Sequence, residues 1–212
     1  MPGKMICPTF REENALYDRG LTLIAGVDEA GRGALAGPVV AGAVILARRR
    51  RCGWLKDIRD SKMLTAEARE ELYRAITSEA VSFGAGIVSH IYIDENGIAP
   101  ATKLAMKLAI EAMSSKPQAL LIDYLTLPSF NLPQKGITDG DALCVSIACA
   151  SIIAKVTRDR LMQRLDTEHC GYGLGQHKGY CTPEHIQRLN KLGPSPIHRY
   201  TFDPVNSFRS LL

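Results

Sequence analysis

An α/β layered domain is the fold the sequence predicts, and three observations carry it. Segments that read as strands alternate with segments that read as helices along most of the chain. Ala119-Leu120-Leu121-Ile122 is a short continuous apolar run, the pattern of a strand covered on both faces. Residues 146–165 form a long helical stretch in which Ala148, Ala150, Ser151 and Ala154 are small enough for close packing on a sheet. Size agrees with this: 212 residues, 46% apolar and 23% charged, suffice for one globular domain with a buried core.

In chain order, residues 1–20 are a polar leader. They carry Lys4, Arg11, Glu12, Glu13 and Asp18 without a continuous apolar core, so a secretory signal is not expected and the cytoplasm is. Residues 21–27 and 38–46 read as two strands joined by a glycine-rich connection, which suggests a hairpin. Arg48 to Arg51 follow where a strand end meets solvent, either as a solvated loop or as a contact for a phosphate backbone. Thr65 is placed to cap a helix running to about residue 78, with Glu67 near its positive end and Ala68, Leu72 and Ile76 on one face. Residues 81–88 read as another strand. Leu104, Ala105, Leu108 and Ala112 recur at helical spacing over 101–114, and Pro117 ends that helix. The run 119–122 stops at Asp123, Asp139-Gly140-Asp141 is a turn, and the long helix 146–165 turns charged at Lys155, Arg158, Asp159 and Arg160. Thr182-Pro183 starts a last helix that ends at Gly193-Pro194.

Several classes are excluded or weakened. The longest uncharged stretch, 33–47, is broken by Gly37, Pro38 and Gly42 and falls short of the roughly 20 residues of a membrane span. Six cysteines without a CxxC pair are diluted over a full-sized domain and read as reduced thiols. A formal charge of +4 allows a polyanionic partner without requiring one.

Four acids stand where solubility does not need them. Asp28 and Glu29 end one apolar strand, Asp123 ends another, and Asp141 lies in a glycine turn feeding an apolar helix. Strand ends on one edge of an α/β sheet are where ligand sites gather. Two full charges about 5 Å apart cost roughly 3 kcal/mol at an effective dielectric of 20, so converging carboxylates need a cation or raised pKa values. Oxygen-only ligands select a hard ion, Mg2+ or Mn2+. Gly31-Arg32-Gly33 offers a backbone that a ligand can approach closely, though a tight hairpin uses the same residues. Asp60-Ser61-Lys62 is an anion site or a helix cap, and Lys155 and Arg158 extend from the long helix. The segment 169–181 holds two Cys and two His, but their spacing does not suit zinc; Tyr180 beside Lys178 is better matched to a nucleic-acid sugar or base.

With these residues in view, Gly26-Val27-Asp28-Glu29-Ala30-Gly31-Arg32-Gly33-Ala34-Leu35-Ala36-Gly37-Pro38-Val39-Val40 resembles the signature of the ribonuclease HII family, the type 2 ribonucleases H. The match continues through Asp60-Ser61-Lys62, residues 101–106, Leu121-Ile122-Asp123, Gly140-Asp141, residues 150–159, His177-Lys178-Gly179-Tyr180 and His198-Arg199, and covers roughly 21–205. The resemblance implies a ribonuclease H-like fold: a mixed central sheet flanked by helices in a catalytic domain over 21–165, and a helical C-terminal extension over 166–212 that completes the substrate cleft. It implies an endonuclease that cuts the RNA strand of RNA/DNA hybrids and ribonucleotides embedded in duplex DNA, leaving 5′-phosphate and 3′-OH ends. Two divalent ions, Mg2+ or Mn2+, would serve catalysis, held by Asp28, Glu29, Asp123 and Asp141. Gly31, Arg32 and Gly33 would contact the ribonucleotide 2′-OH and Tyr180 the RNA-to-DNA junction; Lys62, Lys155 and Arg158 would hold phosphates, and Asp159 would support the site from behind. Residues 1–20 alone precede the first strand, which fits the type 2 enzymes better than the type 3 enzymes, and a monomer is expected. The chain departs from the family pattern at Pro100, Tyr124, Asp139 and Tyr200, none of which removes an acid. Two rivals stand beside this reading: a nucleic-acid-binding module without catalysis, and a nuclease of the same fold that cuts DNA alone.

Overall fold

In the computed structural model, which describes residues 7–48, 52–58 and 64–211, five strands form one mixed sheet in the order β3-β2-β1-β4-β5. The strands are β1 (Ile24–Ala30), β2 (Val39–Ile45), β3 (Ser82–Val88), β4 (Ala119–Asp123) and β5 (Gln134–Ile137). β1, β2 and β3 are antiparallel neighbours, so the expected hairpin is present. β4 runs parallel to β1 and β5 parallel to β4. Each parallel step needs a crossover, and the first of these contains α2 (Ala66–Glu79), α3 (His90–Asn96) and α4 (Ile98–Glu111).

Each face of the sheet buries its own core. One packs Val27, Val39, Ala41, Ala43, Leu120 and Ile122 against Ala105, Met106 and Ala109 of α4. The other packs Val44 against Ile152, Ile153 and Val156 of α6 (Val145–Glu168) and Leu72 and Ile76 of α2. The central strands are therefore apolar on both sides. The small residues of α6 let it lie directly on β1 and β2: a Cβ at Gly26 would run into the backbone of Ser146 and Ile147, and one at Gly42 into that of Ala150.

The leader is more than a tail. Among its described residues, α1 (Arg11–Tyr17) buries Glu13 and Tyr17. The Glu13 carboxylate accepts from the Ser146 N–H at 2.8 Å and the Cys144 thiol at 3.1 Å, capping the start of α6 from a distant part of the chain. Glu13→Ala is expected to cost about 1–2 kcal/mol, by the usual worth of a helix cap whose loss leaves a buried N–H unpaired. Urea denaturation reads this against Glu12→Ala, which removes only an exposed ion pair with Lys135.

Other boundaries differ from expectation for local reasons. The helix expected over 101–114 begins at Ile98, because Gly97 at φ +86° turns the chain straight from α3 into α4. The long helix continues past residue 165 to Glu168, so the boundary drawn there falls inside α6. After it, α7 (Leu174–His177) and α8 (Pro183–Leu192) make up the helical C-terminal part with a 3-10 stretch, Val205–Leu211. The Thr65 and Thr182 caps accept from Ala68 N–H and His185 N–H, each at 3.2 Å. Arg48 pairs with Asp18 at 3.2 Å, while Arg49 to Arg51 and the segment Asp60-Ser61-Lys62 lie outside the described residues. No helix among the described residues is long and apolar enough to cross a membrane.

Candidate active site

Parallel pairing is what brings the acids together. Val27 of β1 is level with Ile122 of β4, so Asp28 and Asp123, the next residue on each strand, lie side by side where the parallel pairing ends. Asp28, Glu29 and Asp123 can each present a carboxylate oxygen within 4.8 Å of the others, the one such group of possible metal ligands among the described residues. Gly140 N–H donates to Asp123 at 2.8 Å, drawing the one-turn α5 (Gly140–Leu143) to the end of β4. Asp141 on that turn is buried and lines the same cleft of about 570 Å3, but stands outside the tight trio.

Electrostatics at this strand end are strained without a cation. Asp28 is 5% exposed. Burial drives its pKa well above the usual carboxylate range, and the charges of Glu29 and Asp123 push the same way; hydrogen bonds from Ser151 and the Glu29 N–H pull it down without prevailing. The donor set is all oxygen and anionic, which fits hard divalent ions such as Mg2+ or Mn2+.

Two buried arginines shape the loop that follows β1. Arg199 is fully buried and donates to Gly31 O at 2.8 Å, Arg32 O at 2.9 Å and Gly37 O at 3.0 Å. Burial, followed by the charge of Arg158, brings its pKa down to about 9. Arg158 is equally buried and donates to Pro38 O, Lys178 O and Ala36 O at 2.9, 2.9 and 3.1 Å. Its guanidinium is committed to three carbonyls and joins the loop to the segment that carries Tyr180. Arg199 turns the carbonyls of Gly31 and Arg32 inward, and Arg158 holds those of Ala36 and Pro38. Gly31 adopts φ +88°, and a Cβ there would collide with the Arg158 side chain, so glycine is needed twice over.

Tyr180 lines the cleft beside this loop, its hydroxyl accepting from Gly31 N–H at 3.1 Å. Lys155 lines the cleft with its ammonium 5.6 Å from the Tyr180 ring centre and 2.8 Å from Asp159. Asp159 also faces Arg69 of α2 at 3.7 Å. Arg69 and Ser151 both line the cleft and escaped the sequence reading, one as an ordinary polar position on an amphipathic helix, the other as a small packing residue. Arg199, known only as part of a matching block, likewise carried no sign of its role. Gly31, Arg32 and Gly33 line the cleft; Lys62 lies outside the described residues.

The 169–181 segment assembles no zinc site. His177 uses both ring nitrogens on backbone groups, Tyr172 O at 2.8 Å and Gly179 N at 3.2 Å, and Cys170 and Cys181 are exposed.

Comparison with known proteins agrees with this geometry. The family model described as ribonuclease HII matches residues 25–205. The ribonuclease HII of Dehalococcoides mccartyi is 58% identical over 205 residues, 97% of each chain, and that of Chloroflexus aggregans is 50% identical over 200 residues, covering 93% of this chain and 94% of its own. Among solved structures, the ribonuclease H2 from Pyrococcus horikoshii OT3 is similar with a TM-score of 0.74 at 27% identity, over 89% of this chain and 97% of that one. The RNase HII of Archaeoglobus fulgidus, solved as a complex with PCNA, gives a TM-score of 0.67 at 26% identity over 80% and 87%. The mixed sheet with its flanking helices is a ribonuclease H-like fold, and the chain belongs to the ribonuclease HII family, a metal-dependent endonuclease that hydrolyses phosphodiester bonds in RNA strands.

Proposed function

We propose that this chain cuts the RNA strand of RNA/DNA hybrids and also cuts at ribonucleotides embedded in duplex DNA, leaving 5′-phosphate and 3′-OH ends. The observation that carries the reading is one cleft lined by the acid trio, the Gly31-Arg32-Gly33 loop and, hydrogen-bonded to that loop, Tyr180. Asp28, Glu29 and Asp123 are the residues that would hold divalent ions, with Asp141 contributing from the rim. Two such ions, Mg2+ or Mn2+, when bound supply a water activated for attack and stabilisation of the leaving 3′ oxygen. The protein's own part is placement. Lys155 and Arg69, both braced on Asp159, offer cations to the phosphates. The inward-turned carbonyls of the 31–33 loop fix a close-approach backbone for the sugar, where the 2′-OH distinguishes RNA from DNA. Tyr180 supplies a flat face for the neighbouring residue of the duplex. The reading includes a monomer in the cytoplasm, which six cysteines outside any disulfide suit.

Parallel digestion of an RNA/DNA hybrid, a DNA duplex with one ribonucleotide, all-RNA and all-DNA duplexes in Mg2+ or Mn2+ tests it. Cutting of the first two with 5′-phosphate products is expected. Cutting of all-DNA duplex, or salt-sensitive binding without scission, contradicts it.

A further inference from the structure

Tyr124 follows Asp123 directly and takes φ +48°, the left-handed region in which a residue with a Cβ crowds its own carbonyl. Its N–H is bound to Ile137 O at 2.9 Å, so the strained backbone is locked against β5. What the strain delivers is a phenol beside Arg32, one of the residues lining the cleft. The Arg32 guanidinium lies 4.8 Å from the Tyr124 ring centre, and its Nη1 donates to the Tyr124 hydroxyl. The same Nη1 stands 3.9 Å from Glu29 Oε1, too far for a hydrogen bond. Arg32 is thus a built-in cation beside a carboxylate meant for another cation, and the phenol sets the distance between them.

We propose that Tyr124 is a positioning residue that holds the Arg32 guanidinium off Glu29 and so leaves that carboxylate to a divalent ion. The inference rests on the reading of Asp28, Glu29 and Asp123 as metal ligands. Without the Tyr124 hydroxyl only the ring contact remains, and the guanidinium can close on Glu29 as a two-pronged ion pair, the arrangement arginine favours with a carboxylate. Closing a pair from 3.9 Å to hydrogen-bond contact, discounted for the exposure of Arg32, corresponds to about a fivefold loss in affinity for a competing ion.

Calorimetric titration of Mn2+ into the metal-free full chain, without nucleic acid, tests this. Tyr124→Phe is expected to weaken Mn2+ binding about fivefold, and to have no such effect in an Arg32→Met background. Tyr124→Gly, which relieves the left-handed strain, is expected to weaken binding as much without lowering the melting temperature, a combination that a purely structural residue would not give. Equal or tighter Mn2+ binding by Tyr124→Phe, or the same loss in the Arg32→Met background, overturns the proposal. If instead wild type binds no Mn2+, or Asp28→Asn binds it as well as wild type, the metal-ligand reading fails and the proposal falls with it.

Discussion

Asp28→Asn is expected to slow strand cleavage by at least about a thousandfold and yet to raise the melting temperature of the metal-free protein at neutral pH. The two effects have one origin. Two full charges at the 4.8 Å limit of the acid trio repel by about 3 kcal/mol at an effective dielectric of 20. Asp28 is the most buried of the three, and its raised pKa records that the fold disfavours its charged form. A carboxyl whose folded pKa lies above its unfolded value stabilises the fold while protonated. That contribution is present below the unfolded value near 4 and is lost as pH rises through the folded one. At neutral pH the wild-type chain therefore carries a cost that asparagine, neutral at every pH, avoids. A divalent ion reverses the order: Mn2+ should raise the wild-type melting temperature and leave that of Asp28→Asn nearly unmoved. Thermal unfolding in chelator and in Mn2+, at pH 4 and pH 7, reads all of this. A variant less stable than wild type in chelator at pH 7 would mean that Asp28 is held for packing and not for a cation.

Arg199→Met should be the most damaging single change outside the acids, costing about 3–5 kcal/mol. It strips donors from the carbonyls of Gly31, Arg32 and Gly37 in a fully buried setting, and each buried acceptor left unpaired costs about 1–3 kcal/mol. Arg199→Lys keeps the charge but cannot reach three carbonyls with one compact ammonium, so an intermediate loss is expected. Urea denaturation measures the stability. At a temperature where Arg199→Lys stays folded, its Michaelis constant for a ribonucleotide-containing duplex should rise and its preference for ribo- over deoxyribonucleotide should fall, because the loop that receives the sugar is no longer fixed. Wild-type stability and preference in Arg199→Lys would show that the loop holds its shape without this strut.

The acids were legible because their positions break a pattern. A charged residue that ends an apolar strand has no packing reason to be there, and parallel pairing of β1 with β4 supplied the convergence that the pattern asked for. The cations were not legible in the same way. Lys155, Arg158 and Asp159 share the charged end of α6 and look alike in sequence, yet Lys155 and Asp159 sit one turn apart and pair at the cleft, while Arg158 turns under the loop into full burial. Nothing in one-dimensional order distinguishes a solvated arginine from one that gathers carbonyls out of two distant loops, and Arg199 was hidden for the same reason. β5 was missed because Gln134-Lys135-Gly136-Ile137 is an edge strand with a single buried apolar residue, too short to show a period of two. Glu13 was read as part of a polar leader, since its partner at the start of α6 lies 133 residues away.

Metal-dependent cutting directed by a 2′-OH is open to one direct measurement. A DNA duplex with a single ribonucleotide, incubated with the purified chain in Mg2+ or Mn2+, should be cut once, with 5′-phosphate and 3′-OH ends. The cut should vanish in chelator, with Asp28→Asn, and when that nucleotide is replaced by its deoxy counterpart. A duplex left intact, or a deoxy counterpart cut equally well, would contradict it.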